Sequence, residues 1–200
     1  MKLLKIYPEN PNDKFISIAA EAINDGKIII IPTDSVYAFA CDALNNNAIE
    51  RICKLKGIQS DKNNLSIICS EISQAAEYSR IDTDTYKLMK RNLPGAFTFI
   101  LPALNKLPKA FKGRKTVGIR IPDNNIALSL VNILGKPIMT SSVPLDDSDT
   151  STEPELMAQE YPSVDVILDS GRGRMTPSAV IDCTGDNPEI IREGPSPLVS

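Results

Sequence analysis

Residues 28–37 read Ile28-Ile29-Ile30-Ile31-Pro32-Thr33-Asp34-Ser35-Val36-Tyr37 and carry the strongest structural signal in the chain. The isoleucine run predicts a short strand buried on both faces, and Pro32 ends its ladder because proline has no N–H to donate. Two hydroxyls, a carboxylate and a phenol follow. Ligands of open α/β sheets bind beyond the carboxyl ends of strands, so this polar cluster is a candidate site. The alternative is an ordinary Asp/Ser turn.

The composition is that of one globular domain spanning residues 1–200. Of these 200 residues, 42% are hydrophobic and 24% are charged. No apolar run approaches the roughly 18 residues of a membrane span, and the N-terminus lacks the apolar core of a signal peptide. The four cysteines form no CxxC pair, which predicts reduced, buried thiols. We therefore expect a cytoplasmic protein with no membrane partner.

The absence of histidine restricts the possible chemistry. It excludes Ser-His-Asp and Cys-His catalysis and any zinc site that needs imidazole. Reactions must therefore use lysine, arginine, carboxylates or hydroxyls, and a bound cation is an optional addition. The net charge of −3 disfavours a globally basic nucleic-acid binder, but it leaves a local basic cleft open.

The apolar periodicity predicts alternating helices and strands. Helices are predicted at 13–25, 45–56, 71–79, 83–91, 124–134 and 154–160. Strands are predicted at 28–31, 36–41, 65–69, 97–101, 115–121, 137–140, 164–168, 178–182 and 188–192. This order indicates a single α/β layer architecture with a mixed parallel and antiparallel sheet. The acidic stretch 146–153 predicts a mobile surface loop.

Five polar clusters interrupt the apolar pattern, each at the end of a predicted element. They are Thr33/Asp34/Ser35/Tyr37, Lys54/Lys56 with Lys62, Thr116 with Arg120, Thr140/Ser141/Ser142, and Ser178 with Arg192. Arg120 lies in an otherwise apolar strand with Gly118 on its own face. A glycine there would leave room for a ligand, and the arginine would hold a carboxylate or phosphate by paired hydrogen bonds. The alternative is an ion-paired or solvent-exposed arginine.

Taken together, these clusters resemble the motifs of the YrdC/YciO family, whose type activity is threonylcarbamoyl-AMP synthesis. Pro32–Tyr37 resembles its PTDTVYG motif, Lys56-Gly57 the start of KxR, and Thr116–Pro122 the TVAVRIP strand. Farther along, Pro137–Ser142 resembles the approach to SAN, Pro177–Asp182 resembles PSTIVD, and Ile191–Gly194 contains RxG. The resemblance implies a single-domain twisted mixed sheet with helices and a concave ligand cleft.

The resemblance also implies an enzyme that joins L-threonine, bicarbonate and ATP, for threonylcarbamoyladenosine modification of tRNA. Substrate-binding residues would be Thr33, Ser35, Tyr37, Arg120, Ser142 and Ser178. Nucleotide-binding residues would be Lys56, Thr116 and Arg192, with Lys56 and Arg120 as the catalytic cations. ATP is then a substrate, which Mg²⁺ can accompany, and no organic prosthetic group or protein-bound metal is predicted.

Three positions depart from the family motifs. Ile58 stands where KxR has arginine, Pro144 where SxN has asparagine, and Ala38 where VYG has glycine. Losing a charge-assisted contact costs about 1.5–3 kcal/mol, so these changes disfavour efficient synthesis and resemble the YciO branch. An alternative is therefore a protein that binds tRNA or double-stranded RNA with weak or no synthase activity, or that acts on threonylcarbamoyladenosine in tRNA. A third is a non-catalytic sensor of a small metabolite.

Overall fold

The computed structural model describes residues 1–146 and 148–200, and these residues form a ten-stranded sheet. Its strands are β1 (Lys2–Lys5), β2 (Ile29–Ile31), β3 (Ala38–Asp42), β4 (Ser66–Ile68), β5 (Phe97–Pro102), β6 (Thr116–Arg120), β7 (Ile138–Ser142), β8 (Val166–Asp169), β9 (Ala179–Asp182) and β10 (Glu189–Arg192). Three residues of the isoleucine run form β2 and Ile28 directly precedes it; all four are buried, as the sequence predicts.

Six α-helices are assigned within the described residues. They are α1 (Asp13–Asn24), α2 (Asn46–Leu55), α3 (Ile72–Ala75), α4 (Thr83–Asn92), α5 (Asn125–Leu134) and α6 (Pro154–Glu160). Side chains of Asn12, Asn45, Asp82 and Asn124 cap the N-termini of α1, α2, α4 and α5 by accepting backbone N–H groups. Single 3-10 turns occur at Lys109–Phe111 and Asp149–Ser151.

The sheet is mixed, as the order of the elements predicts. Its strand order is β1-β8-β2-β3-β7-β4-β6-β5-β9-β10. The pairs β1/β8, β2/β8, β4/β6 and β5/β9 are parallel, and the other neighbours are antiparallel. The β2–β3 hairpin places the Pro32–Tyr37 loop at one end of the sheet.

Each face of the sheet has its own apolar cluster. Helices α2, α4 and α6 pack on one face against Phe39, Phe99 and their neighbours. On the other face, α1 and α5 pack against an apolar half that includes Ile31 and Ile68. Side chains alternate along a strand, so Gly118 and Arg120 of β6 lie on the opposite face of the sheet from Ile119. They belong to the part of this second face that α1 and α5 do not cover, and this part is polar.

The structure corrects three expectations. The edge strand β1 was not predicted, because its Lys-Leu-Leu-Lys sequence has no clear alternation and is ordered by pairing with β8. The helix predicted at 71–79 ends at Ala75, since Ser79 instead forms a bridge with Ala103. In the predicted loop 146–153, Asp147 lies outside the described residues, while Ser151 and Thr152 are buried rather than at the surface.

Two further observations bear on the composition. All four cysteines are buried and free, as their apolar contexts predict. Over residues 1–146 and 148–200, none of the helices has the length and apolarity needed to cross a membrane.

Candidate functional site

A continuous polar region occupies the half of the second sheet face that α1 and α5 do not cover. We call it the polar face; it is formed by Ser66, Thr98, Thr116, Gly118, Arg120, Thr140, Ser142, Ser178 and Arg192. The strand register brings these residues together, because Thr140 pairs with Ser66 and Ser66 pairs with Gly118. Three of the six residues predicted from the sequence to bind substrate, Arg120, Ser142 and Ser178, therefore share one face.

Arg120 joins the polar face to the Pro32–Tyr37 loop. Its Nη2 donates to Asp34 Oδ1 and to Ser35 Oγ, each at 3.0 Å. The second oxygen of Asp34 accepts the backbone N–H of Asp123 at 2.8 Å. Burial lowers the pKa of the Arg120 guanidinium and the adjacent Asp34 carboxylate opposes that shift, so the group stays charged. The buried ion pair is one of the alternatives that the sequence left open, and it holds the guanidinium at a fixed position.

The hydroxyls of the loop form a small ordered network. Thr33 Oγ1 donates to the carbonyl of Val36 at 2.8 Å and accepts the backbone N–H of Ser35 at 3.1 Å. The Ser35 hydroxyl lies 3.1 Å from Thr33 Oγ1. Thr33 therefore shapes the loop and orients Ser35, which is 2% exposed and contacts Arg120 directly.

Two buried atoms on the polar face have no hydrogen-bond partner among the described residues. They are Arg120 Nε and Thr140 Oγ1, and both residues are 4% exposed. An unsatisfied buried polar group costs about 1–3 kcal/mol, so native structures seldom leave such atoms without a partner. A ligand or water on this face would satisfy them.

Gly118 does not leave the open space that the sequence predicts beside Arg120. A Cβ built at this position would lie 2.4 Å from Ser66 Oγ and 2.9 Å from Thr98 Cγ2. The reason predicted for a glycine at this position is therefore wrong, because Gly118 accommodates two neighbouring side chains and not a ligand. These side chains come from strands on either side of β6.

Ser178 and Arg192 lie at the β9–β10 edge of the polar face. The Ser178 hydroxyl is 2.9 Å from Thr98 Oγ1, and its carbonyl accepts Nε and Nη2 of Arg192 at 3.0 and 2.9 Å. Because Phe99 pairs with Ile119, Thr98 stands next to Arg120 in the sheet. Ser178, Arg192 and Arg120 therefore belong to one group, in which Arg192 also lowers the pKa of Arg120.

Lys56 approaches β7 from the end of α2. Its Nζ donates to Ser141 Oγ and to the carbonyl of Ser142, each at 2.7 Å. Burial lowers the pKa of this lysine. Gly57 has φ of +66°, which allows the chain to turn away directly after the lysine. The contact places the Lys56 ammonium against the backbone of Ser142 at the end of β7.

The other two predicted residues lie farther from this group. The Thr116 hydroxyl, at the outer end of β6, donates to Asn64 Oδ1 at 3.1 Å. The Tyr37 hydroxyl donates to the carbonyl of Gly171 at 2.8 Å and accepts the N–H of Ser170 at 3.0 Å. Tyr37 is 2% exposed, so its hydroxyl holds the chain after β8 in place.

The two main departures from the family motifs differ in their surroundings. Ile58 is partly buried and packs against the apolar core beneath α2. Pro144 is exposed at the end of β7 and has no N–H to donate. Neither residue supplies a hydrogen bond to the site.

Sequence reasoning missed several residues that shape the site. Asp34 was placed in a cluster but not paired with Arg120, and Ser66, Thr98 and Asn64 were not selected at all. The signal for Asp34 was available, because a buried arginine requires a nearby carboxylate and Asp34 is the single acid in the five polar clusters. Ser66 and Thr98 are recognised only from the strand register, and Asn64 only from its hydrogen bond with Thr116.

A cavity of about 400 Å³ lies beside the Pro32–Tyr37 loop. Its walls include Thr33, Asp34, Ser35, Asp123 and Arg174. Arg174 Nη1 donates to the carbonyl of Asp34 at 3.2 Å, so this cavity and the Arg120 pair share the same loop. The volume falls in the range of about 300–1,000 Å³ that small-molecule sites occupy.

Comparison with known proteins identifies the family. The family model for Sua5, YciO and YrdC proteins, described as Telomere recombination, matches residues 21–194. The chain belongs to the Sua5/YciO/YrdC family. This confirms the resemblance inferred from the motifs.

Relatives on both branches of this family are similar along nearly the whole chain. The uncharacterized protein YciO of Escherichia coli (strain K12) is 38% identical over 193 residues, covering 94% of this chain and 93% of YciO. The threonylcarbamoyl-AMP synthase of Pyrococcus abyssi is 34% identical over 187 residues, covering 92% of this chain and 55% of the synthase. The relatives of this chain thus include both YciO and threonylcarbamoyl-AMP synthases.

Solved structures confirm the fold of the Sua5/YciO/YrdC family. The crystal structure of E. coli YciO superposes with a TM-score of 0.91 at 37% identity and covers 98% of both chains. The crystal structure of P. abyssi Sua5 complexed with L-threonine gives a TM-score of 0.88 at 31% identity, covering 97% of this chain and 58% of Sua5. L-Threonine is therefore a ligand of a structurally similar relative.

Proposed function

We propose that this protein makes threonylcarbamoyl-AMP from L-threonine, bicarbonate and ATP, for threonylcarbamoyladenosine modification of tRNA. The observation that carries the proposal is the buried guanidinium of Arg120, which is held by Asp34 and Ser35 while its Nε has no partner among the described residues. An arginine fixed in this way is suited to bind the carboxylate of an amino acid. The Sua5 complex with L-threonine supports the choice of amino acid.

The reaction requires few proton transfers from side chains. The amine of threonine combines with bicarbonate to give a carbamate and water, and a carbamate oxygen then attacks the α-phosphorus of ATP and displaces pyrophosphate. Lys56 and Arg192 supply positive charge at opposite sides of the polar face, where they would stabilise the charge that develops on the phosphates. Positioning and electrostatics account for the rate without a histidine base.

The first test measures binding and turnover in the same samples. We expect calorimetry to detect L-threonine binding, and we expect threonine-dependent pyrophosphate release from ATP, Mg²⁺ and bicarbonate. Ser178→Ala and Arg120→Lys should each weaken threonine binding about tenfold or more, because each changes a polar group of the site. Ser163→Ala, on the exposed surface, is the matched control. Pyrophosphate release that stays at background in the presence of threonine would contradict the proposal.

A second candidate function rests on the two motif departures. Ile58 packs in the core and Pro144 is exposed, so neither supplies the guanidinium or amide that the synthase motifs place near the nucleotide. This favours a YciO-like protein that binds tRNA or double-stranded RNA, with weak or no synthase activity. Threonine binding without ATP binding, together with an RNA affinity that falls steeply with salt, would support this candidate over synthesis.

A further inference from the structure

The segment before β6 is strongly basic and is not part of the polar face. Residues 106–115 contain five basic residues and no acidic residue, in a chain of net charge −3. They are Lys106, Lys109, Lys112, Arg114 and Lys115, and all five are exposed. A local concentration of positive charge in an acidic protein indicates an anionic partner for this surface.

Little of this charge is neutralised by the protein itself. Lys106 pairs with Glu77 at 3.2 Å, whereas the other four form no salt bridge within the described part of the chain. Arg114 Nη1 donates to the carbonyl of Lys62 at 3.2 Å, which brings a further lysine to the same surface. The surface therefore keeps its charge available for a ligand.

A cavity of about 310 Å³ opens within this basic surface. Its apolar wall includes Leu104, Leu107 and Phe111, and its polar lining residues are Asn105, Lys112 and Lys115. Leu104 is 40% exposed, so its side chain is accessible to a ligand in the cavity. The cavity volume is at the lower end of the range of about 300–1,000 Å³ for ligand sites, so the cavity fits one small planar group.

The backbone of Lys115 has an uncommon conformation. Its φ is +58°, the one positive value among the non-glycine residues that the structure describes. A side chain in this region costs about 1–2 kcal/mol relative to glycine, and such residues cluster at functional sites. A lysine therefore occupies a position at which glycine would be less strained. Its side chain lines the cavity together with Lys112.

We infer that this cavity binds a nucleoside phosphate, with its base against Leu104 and Leu107 and its phosphate between Lys112 and Lys115. Apolar walls suit the faces of a base, the Asn105 amide suits its polar edge, and two lysines suit a phosphate. The ligand is either a free nucleotide or one unit of an RNA strand, since both present the same chemistry. The site shares no residue with the polar face, and the inference does not rest on threonylcarbamoyl-AMP synthesis.

The test compares two variants that each remove two exposed lysines. Lys112→Ala/Lys115→Gly removes the phosphate contacts and retains the fold, because glycine adopts φ of +58° readily. Lys5→Ala/Lys14→Ala removes the same charge from another part of the surface. Calorimetry with AMP and anisotropy with a fluorescent single-stranded RNA octamer are recorded for both, in an Arg192→Ala background that weakens nucleotide binding at the polar face.

We expect the cavity variant to bind at least one probe tenfold more weakly than the control variant. Loss of RNA binding, with a salt slope reduced by about 0.7 for the one phosphate held by the two lysines, identifies a strand as the ligand. Loss of AMP binding alone identifies a free nucleotide. Equal binding of both probes by the two variants would overturn the inference. Where octamer binding depends on the cavity, an abasic octamer bound as tightly as RNA would also overturn it. The cavity variant and the control variant should bind threonine equally. A failure of this inference can therefore be distinguished from a failure of the proposed function.

Discussion

Arg120 and Asp34 form a buried ion pair, with Nη2 3.0 Å from Oδ1 and with side chains 5% and 8% exposed. Asp34 also accepts the backbone N–H of Asp123. One carboxylate thus connects the β2–β3 loop, the end of β6 and the segment before α5. The pair fixes the orientation of the guanidinium before any substrate arrives.

Replacing Asp34 by asparagine should destabilise the protein strongly. The variant leaves the buried guanidinium of Arg120 without its counter-charge, and breaking a buried pair in this way costs about 3–5 kcal/mol. Urea unfolding at pH 7 measures the change in the free energy of unfolding. The exposed Lys106–Glu77 pair provides the control, because Glu77→Gln should cost less than about 1 kcal/mol. Equal effects of the two substitutions would refute the role assigned to burial.

Tyr37→Phe should lower stability without weakening threonine binding. The lost hydroxyl leaves the N–H of Ser170 and the carbonyl of Gly171 without a partner, at a cost of about 1–3 kcal/mol. Thermal unfolding and threonine calorimetry separate the two effects. Tyr161→Phe is the matched control, because Tyr161 is partly exposed and its ring packs edge-on against Phe39. A large loss of threonine affinity would instead support Tyr37 as a substrate-binding residue.

Gly118→Ala should be destabilising, and Ser66→Ala should relieve part of the cost. The new Cβ would lie 2.4 Å from Ser66 Oγ, so one of the two side chains must move, at about 1–3 kcal/mol. The double variant removes that oxygen and should be more stable than Gly118→Ala alone. Urea unfolding of all four proteins gives the coupling between the two sites. Additive effects would show that Ser66 is not what the glycine accommodates.

Stability should decrease as pH rises above about 9. Burial raises the pKa of Cys53 and Cys183 to about 11 and that of Cys69 to about 12, from an ordinary value of 9.0. At a pH between the ordinary thiol pKa and these raised values, the unfolded chain loses thiol protons that the folded chain retains. The free energy of unfolding therefore falls as pH rises through this interval. The lowered pKa of Lys56 acts in the opposite direction but involves one group.

Urea unfolding between pH 8 and pH 10 under reducing conditions measures this decline. Cys69→Ala should show a shallower dependence than the wild type, because one thiol no longer contributes. A free energy of unfolding that is constant or rises over this interval would contradict the burial of the thiols.

The elements of the fold were largely predictable because their signals are local. The isoleucine run of β2, the amphipathic pattern of α1 and the glycine after α5 each lie within a few residues of the structure they determine. The edge strand β1 was missed because its order comes from pairing with β8, about 160 residues away. The helix at 71–79 was overextended for the same reason, since Ser79 pairs with Ala103.

The residue types of the site were also available from the sequence, but their contacts were not. Arg120 stood out as a charge in an apolar strand, and Ser35, Ser142 and Ser178 entered through the family motifs. That Asp34 is the partner of Arg120 depends on how the β2–β3 loop approaches β6, which no local pattern specifies. The space over Gly118 likewise depends on a neighbouring strand, and here the prediction was wrong.

The sequence by itself determined the family, the mixed α/β class and the chemical groups available for catalysis, because motifs, periodicity and composition are properties of the chain alone. Only the tertiary structure decided which polar groups are buried together, as it paired Arg120 with Asp34 and enclosed Tyr37 beneath the segment after β8. The reason is physical: burial and hydrogen-bond partners arise from sheet register between strands distant in sequence, and register is set when the whole core assembles.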